Sequence, residues 1–83
     1  MRELRNYRVT YCEGVHSYIL EGKLYNRPSP YLDGKRLRLV SISSLDVENK
    51  IVTAFDGLSY LLVSPDGNEE EIFRAIQQII QKG

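Results

Sequence analysis

With only one cysteine among 83 residues, Cys12, the chain cannot close a disulfide on itself. The lone histidine, His16, leaves no set of imidazole and thiolate ligands from which a zinc site could be built. No segment approaches the roughly 20 consecutive apolar residues that a membrane helix needs. The first six residues, Met-Arg-Glu-Leu-Arg-Asn, lack the apolar stretch of a secretory leader. No glycine cluster has the spacing of a phosphate-binding loop. Formal net charge is zero, so bulk electrostatics give no reason to expect nucleic acid or membrane. These absences point to a cytoplasmic chain with no metal and no cofactor.

What remains is ordinary globular material. Hydrophobic residues make up 42% and charged residues 27%, enough apolar side chain for a core and too much for disorder. Residues 1–83 read as a single small domain, strand-rich over 5–63 and closed by a helix at about 68–81. A chain this short buries only about 60% of its unfolded surface, so leftover apolar area would favour self-association.

The charge is unevenly placed. Residues 1–42 hold eight Lys and Arg against four acids, and residues 43–83 hold three against seven. A basic half of +4 therefore precedes an acidic half of −4. Such halves can attract each other within one molecule or between copies.

Three dipeptides punctuate runs rich in Tyr, Val, Ile, Leu and Thr: Glu13-Gly14, Glu21-Gly22 and Asp56-Gly57. Each reads as a hairpin turn, and Asp-Gly is the strongest because a type I′ turn needs positive φ at both central residues. The strands expected are about 5–12, 15–20, 23–26, 36–43, 50–55 and 58–63. Pro28 and Pro30 mark the intervening Asn26–Gly34 stretch as a surface loop. A two-residue turn at Asp56-Gly57 pairs Phe55 with Leu58, Thr53 with Tyr60 and Ile51 with Leu62. In Lys35–Ile42 the apolar positions switch from odd to even after Leu39, which signals a bulge or a strand entering a more buried setting.

The last element is the clearest. Asn68 with Glu71 three residues on forms a capping box, and Ile72, Phe73, Ile76, Ile79 and Ile80 make one helical stripe. The fold class that follows is α+β: an antiparallel β-sheet, or a small partly open SH3-like barrel, of five to six short strands with one C-terminal amphipathic helix.

Chemistry is sparse. Cys12 and His16, four residues apart across a turn, are the best candidate nucleophile and base, and a thiol enzyme needs them hydrogen-bonded. A two-residue turn at Glu13-Gly14 sends them to opposite faces, so the pair reads as an unreactive thiol beside a partly exposed imidazole. Glu69, Glu70 and Glu71 suit the positive end of the helix dipole and need no catalytic role.

Five of the six tyrosines lie in the basic half: Tyr7, Tyr11, Tyr18, Tyr25 and Tyr31. Two-residue turns would put Tyr7, Tyr11, Tyr18 and Tyr25 on one face, with Tyr18 across from Tyr25. Aromatic rings with a basic border can hold single-stranded nucleic acid, while Tyr and Arg together are also what protein-binding hot spots favour. Lys and Arg alternating at Lys35, Arg36 and Arg38 either guard a sheet edge or contact a partner. The candidate binding residues are therefore Arg8, Arg27, Tyr31, Lys35, Arg36 and Arg38. Elimination of catalysis favours a non-catalytic interaction module, a regulator or adaptor that binds a protein and can self-associate. A single-stranded nucleic-acid binder is the alternative, and a small Cys12–His16 thiol enzyme the second.

Overall fold

The computed structural model describes residues 1–26 and 33–82. Six strands form one sheet: β1 (Glu3–Cys12), β2 (Ser17–Tyr25), β3 (Lys35–Leu39), β4 (Ile42–Asp46), β5 (Ile51–Ala54) and β6 (Ser59–Pro65). The helix α1 (Glu69–Lys82) follows. Spatial order is β3-β2-β1-β6-β5-β4, two three-stranded antiparallel meanders that meet where β1 and β6 pair in parallel. The α+β class holds, with one parallel junction in place of an all-antiparallel sheet. The two meanders nearly coincide with the basic and acidic halves of the chain.

β3 and β4 occupy opposite edges, yet only Val40 and Ser41 join them. Three Cα steps reach no further than about 11 Å. A flat six-stranded sheet would hold its outer strands roughly 24 Å apart. The sheet must therefore curl until its edges approach at that joint. No ladder links β3 to β4, so the barrel stays open. The parity switch after Leu39 is where the chain leaves one edge and starts the other.

Inside the curl lies one hydrophobic cluster: Leu4, Tyr7, Leu20, Leu24, Leu39, Ile42, Val52, Ala54, Tyr60 and Leu62 from the sheet, with Ile72, Phe73, Ile76 and Ile79 from the helix. The helix behaves as its sequence dictates. Asn68 Oδ1 accepts a hydrogen bond from the Glu71 amide at 3.1 Å, satisfying a donor with no partner inside the helix. The isoleucine stripe then drops onto the open side of the sheet.

Three turns differ from expectation, and the first two of them move side chains between faces. Glu21-Gly22 is no turn at all: β2 runs straight through it. The reason lies on the neighbouring strand, where β1 bulges between Arg5 and Arg8 and Asn6 adopts φ 53°. Asn tolerates this left-handed conformation better than most residues. The extra residue reverses the alternation, so both Leu4 and Tyr7 point inward and Arg8 points outward. Gly22 sits opposite the bulge, where a Cβ would come within 2.9 Å of the Arg5 carbonyl oxygen. A glycine inside a strand here records close backbone approach.

At Asp56-Gly57 the loop has three residues instead of two. Ala54 donates its amide to the Leu58 carbonyl at 2.9 Å, and Gly57 takes φ 87°. Such a loop is a type I turn closed by a left-handed glycine. Val52 therefore pairs with Tyr60 and Ile51 with Leu61. Val52 and Ala54 enter the core, while Phe55 is left 60% exposed at the loop. The Glu13-Gly14 turn also lengthens, to four residues, pairing Cys12 with Ser17.

Candidate functional site: a basic cradle on the outer face

The outer face of β1–β3 carries the side chains that alternate away from the core. Register places Arg5, Arg8, Glu21, Lys23, Arg36 and Arg38 there together. At their centre is Glu21, a carboxylate with only 7% of its side chain exposed. A buried carboxylate is costly without partners, and this one has two cations in reach. Arg8 donates through Nε to Glu21 Oε1 at 2.8 Å, and its Nη1 lies 3.3 Å from Asp66 Oδ2. Arg38 brings its Nε to 3.4 Å from Glu21 Oε2. That second contact is within ion-pair range but off hydrogen-bond alignment, so Oε2 is buried with no hydrogen bond.

Both arginines thus face Glu21 through Nε, the inner nitrogen of the guanidinium. Lys23 and Arg36 stand beside them with no ion-pair partner among the described residues. A cavity of about 380 Å³ opens here, lined by Asn6, Arg8, Glu21, Lys23, Arg36 and Asp66, with Gly22 at its floor. The β1 bulge builds it twice over, by turning Arg8 outward and by placing Asn6 at the rim.

Electrostatics follow the geometry. The hydrogen bond from Arg8 holds the Glu21 carboxyl below its usual 4.5, against the opposing effect of burial, with further help from the charges of Arg8, Arg38 and Arg36. Glu21 in turn raises Arg8. A carboxylate held below its unfolded value adds stability above that value and loses it as pH falls through the folded one. The melting temperature should therefore drop on acidification from about pH 5 downward, and Glu21→Gln should flatten part of that slope. Glu3 and Asp46, lowered by bonds from Arg5 and Asn49, account for slope that persists in the variant. Identical pH profiles for both proteins would show that the cradle is not coupled to folding.

Arg8, Arg36 and Arg38 are brought together as one cluster. Lys35 is not: it shares the inner-face register with Leu24, at the exposed start of β3. Arg27 and Tyr31 lie outside the described residues. Glu21 escapes the sequence reading because Glu21-Gly22 has the composition of a turn; an acid directly after the apolar run Tyr18-Ile19-Leu20 is the signal that marks it. No family model, curated protein or solved structure matches the chain.

The described tyrosines do not form a shared platform. Tyr7 is fully buried, stacked on Phe73 at 6.3 Å, with its hydroxyl donating to Glu69 at 3.1 Å. Burial and the nearby Glu69 charge push that hydroxyl well above the ordinary tyrosine range. Tyr18 pairs with Tyr11, edge to face at 5.3 Å, instead of with Tyr25. That pair sits in the inner-face register at the end of the β1–β2 hairpin. Tyr25 is on the outer face, with the Arg5 guanidinium 4.3 Å above its ring. Because β2 passes straight through Gly22, Tyr25 falls on the opposite side from Tyr11 and Tyr18. His16, at φ 51°, closes the four-residue loop, and no hydrogen bond joins it to Cys12 among the described residues.

Proposed function

We propose that the chain is a non-catalytic, cytoplasmic interaction module, a small regulator or adaptor that binds an acidic segment of a protein partner across the outer face of β1–β3. The observation that carries this reading is the fixing of Arg8 by its hydrogen bond to buried Glu21, with Arg38 drawn beside it by charge and Lys23 and Arg36 without an ion-pair partner among the described residues. Long basic side chains normally lose about 2 kcal/mol of rotamer freedom when they engage a ligand. Side chains already restrained in the free protein lose less, which favours affinity. The half-buried Ile51, Leu61 and Val63 continue the same face with apolar surface, where the partner's apolar residues or a second copy would sit.

Nucleic acid fits this surface less well. Stacking needs rings on the basic face, and of the described tyrosines only Tyr25 is there, already covered by Arg5.

An amide NMR titration tests the reading, using a glutamate-rich peptide, a Gly-Ser peptide of equal length, and single-stranded DNA and RNA at two salt concentrations. The glutamate-rich peptide should shift the amides of Arg8, Glu21, Lys23, Arg36 and Arg38, and the Gly-Ser peptide should not. The double variant Arg36→Glu, Arg38→Glu should weaken that binding at least about tenfold. Shifts produced only by the oligonucleotides, falling steeply with salt, would replace this reading with nucleic-acid binding. No shifts from any probe would overturn it outright.

A further inference from the structure

Resting on that reading of the outer face, we infer that the cavity between Arg8, Lys23 and Arg36 is a phosphoryl-group site that takes a phosphorylated side chain of the protein partner. Charge is the first argument. The cavity and its immediate border hold four cations (Arg8, Lys23, Arg36 and Arg38) against the two carboxylates Glu21 and Asp66. The surplus is two positive charges. A phosphomonoester carries about −1.5 to −2 at neutral pH, so one such group would bring the site close to neutrality. A carboxylate side chain would leave it half compensated.

Geometry is the second argument. The two wall carboxylates are already engaged, Glu21 by both arginines and Asp66 by Arg8, so neither faces an incoming anion without a cation beside it. Among the described residues Lys23 and Arg36 have no ion-pair partner, and they line the cavity from β2 and β3, with Asn6 adding a carboxamide from β1. Cations from three different strands thus border one cavity. Multiple cationic donors suit the several acceptor oxygens of a phosphoryl group.

The unmade hydrogen bond at Glu21 Oε2 adds a third. Arg38 is held there by charge without an aligned bond, and 58% of its side chain is exposed. It can turn toward an anion in the cavity while Arg8 keeps Glu21 paired. A peptide is the better source of this phosphate than a nucleic acid. Phosphodiesters carry a single negative charge each and come as a track, whereas this site is one pocket with acids in its wall.

The test is amide NMR and calorimetry with short peptides of one sequence carrying phosphoserine, phosphotyrosine, glutamate or serine at the central position. Single-stranded RNA forms a separate arm. One phosphopeptide should bind at least about tenfold more tightly than its glutamate counterpart. Its shifts should centre on Asn6, Arg8, Lys23 and Arg36. The double variant Lys23→Gln, Arg36→Gln should abolish that preference while the protein stays folded, with a melting temperature lowered by no more than roughly 4–8 °C, because both side chains are exposed. Equal binding of glutamate and phosphopeptides at these residues would overturn the phosphoryl site and leave the acidic-partner reading standing. No peptide binding would overturn both. RNA binding at the same residues more tightly than either phosphopeptide would overturn the peptide as the source of the phosphate.

Discussion

Alanine in place of Gly22 is expected to destabilise the protein by about 2–3 kcal/mol, the upper part of the range for overpacking a core. The added Cβ would lie 2.9 Å from the Arg5 carbonyl oxygen and 2.9 Å from Cγ and Cδ1 of Leu4. Leu4 is fully buried and the carbonyl belongs to the backbone, so neither has open space to move into. Relief requires β1 and β2 to part at the bulge that aims Arg8. At roughly 4–8 °C per kcal/mol for a domain of this size, the melting temperature should fall by about 10–20 °C. Gly14→Ala is the control, since its Cβ would meet only the Cys12 sulfur at 3.8 Å. Thermal unfolding followed by circular dichroism separates the two. Equal midpoints for Gly22→Ala and wild type would mean that the strands do not approach this closely at the bulge.

Truncating Tyr7 to alanine should cost more, about 3–5 kcal/mol, as large aromatic deletions from a core do. Tyr7 is fully buried, stacks on Phe73 of the helix, and enters the core only because Asn6 bulges out of the β1 ladder. A domain with an ordinary stability of 5–15 kcal/mol would lose a large share of it. Tyr7→Phe keeps the ring and removes only the hydrogen bond to Glu69, so its cost should be about 1 kcal/mol. Urea denaturation of both variants measures the difference directly. A cost below about 1 kcal/mol for the alanine variant would show that the core closes without the bulge.

The helix was legible because its signals are local and agree with one another. A cap, a first turn of acids and a stripe of isoleucines all lie within fifteen residues and require no knowledge of the rest. The sheet was legible in its number of strands and less so in its faces. Glu21-Gly22 carries the composition of a turn, and only the bulge on the adjacent strand explains why glycine is wanted there for closeness. The bulge itself leaves a faint trace, an asparagine between two arginine-bearing strand positions. The parallel pairing of β1 with β6 leaves none, since it joins residues about sixty positions apart. Of the candidate site, the basic residues Arg8, Arg36 and Arg38 were visible as charges in strands. Their grouping depended on Glu21, carried outward by an unbroken β2, and on the outward turn of Arg8, a product of that same bulge.

The two-residue joint at Val40 and Ser41 also orders events in time. Each meander can assemble from strands close in sequence, joined by connections of four to nine residues that close quickly and at modest entropic cost. The ladder between β1 and β6 is different, because its partners stand at opposite ends of the sheet-forming chain. It can align only after the curl at Leu39–Ile42 has brought the two halves face to face, so the slowest step of folding is their docking. Opposite net charges on the two halves draw them together during that search. Added salt should therefore slow folding more than it speeds unfolding.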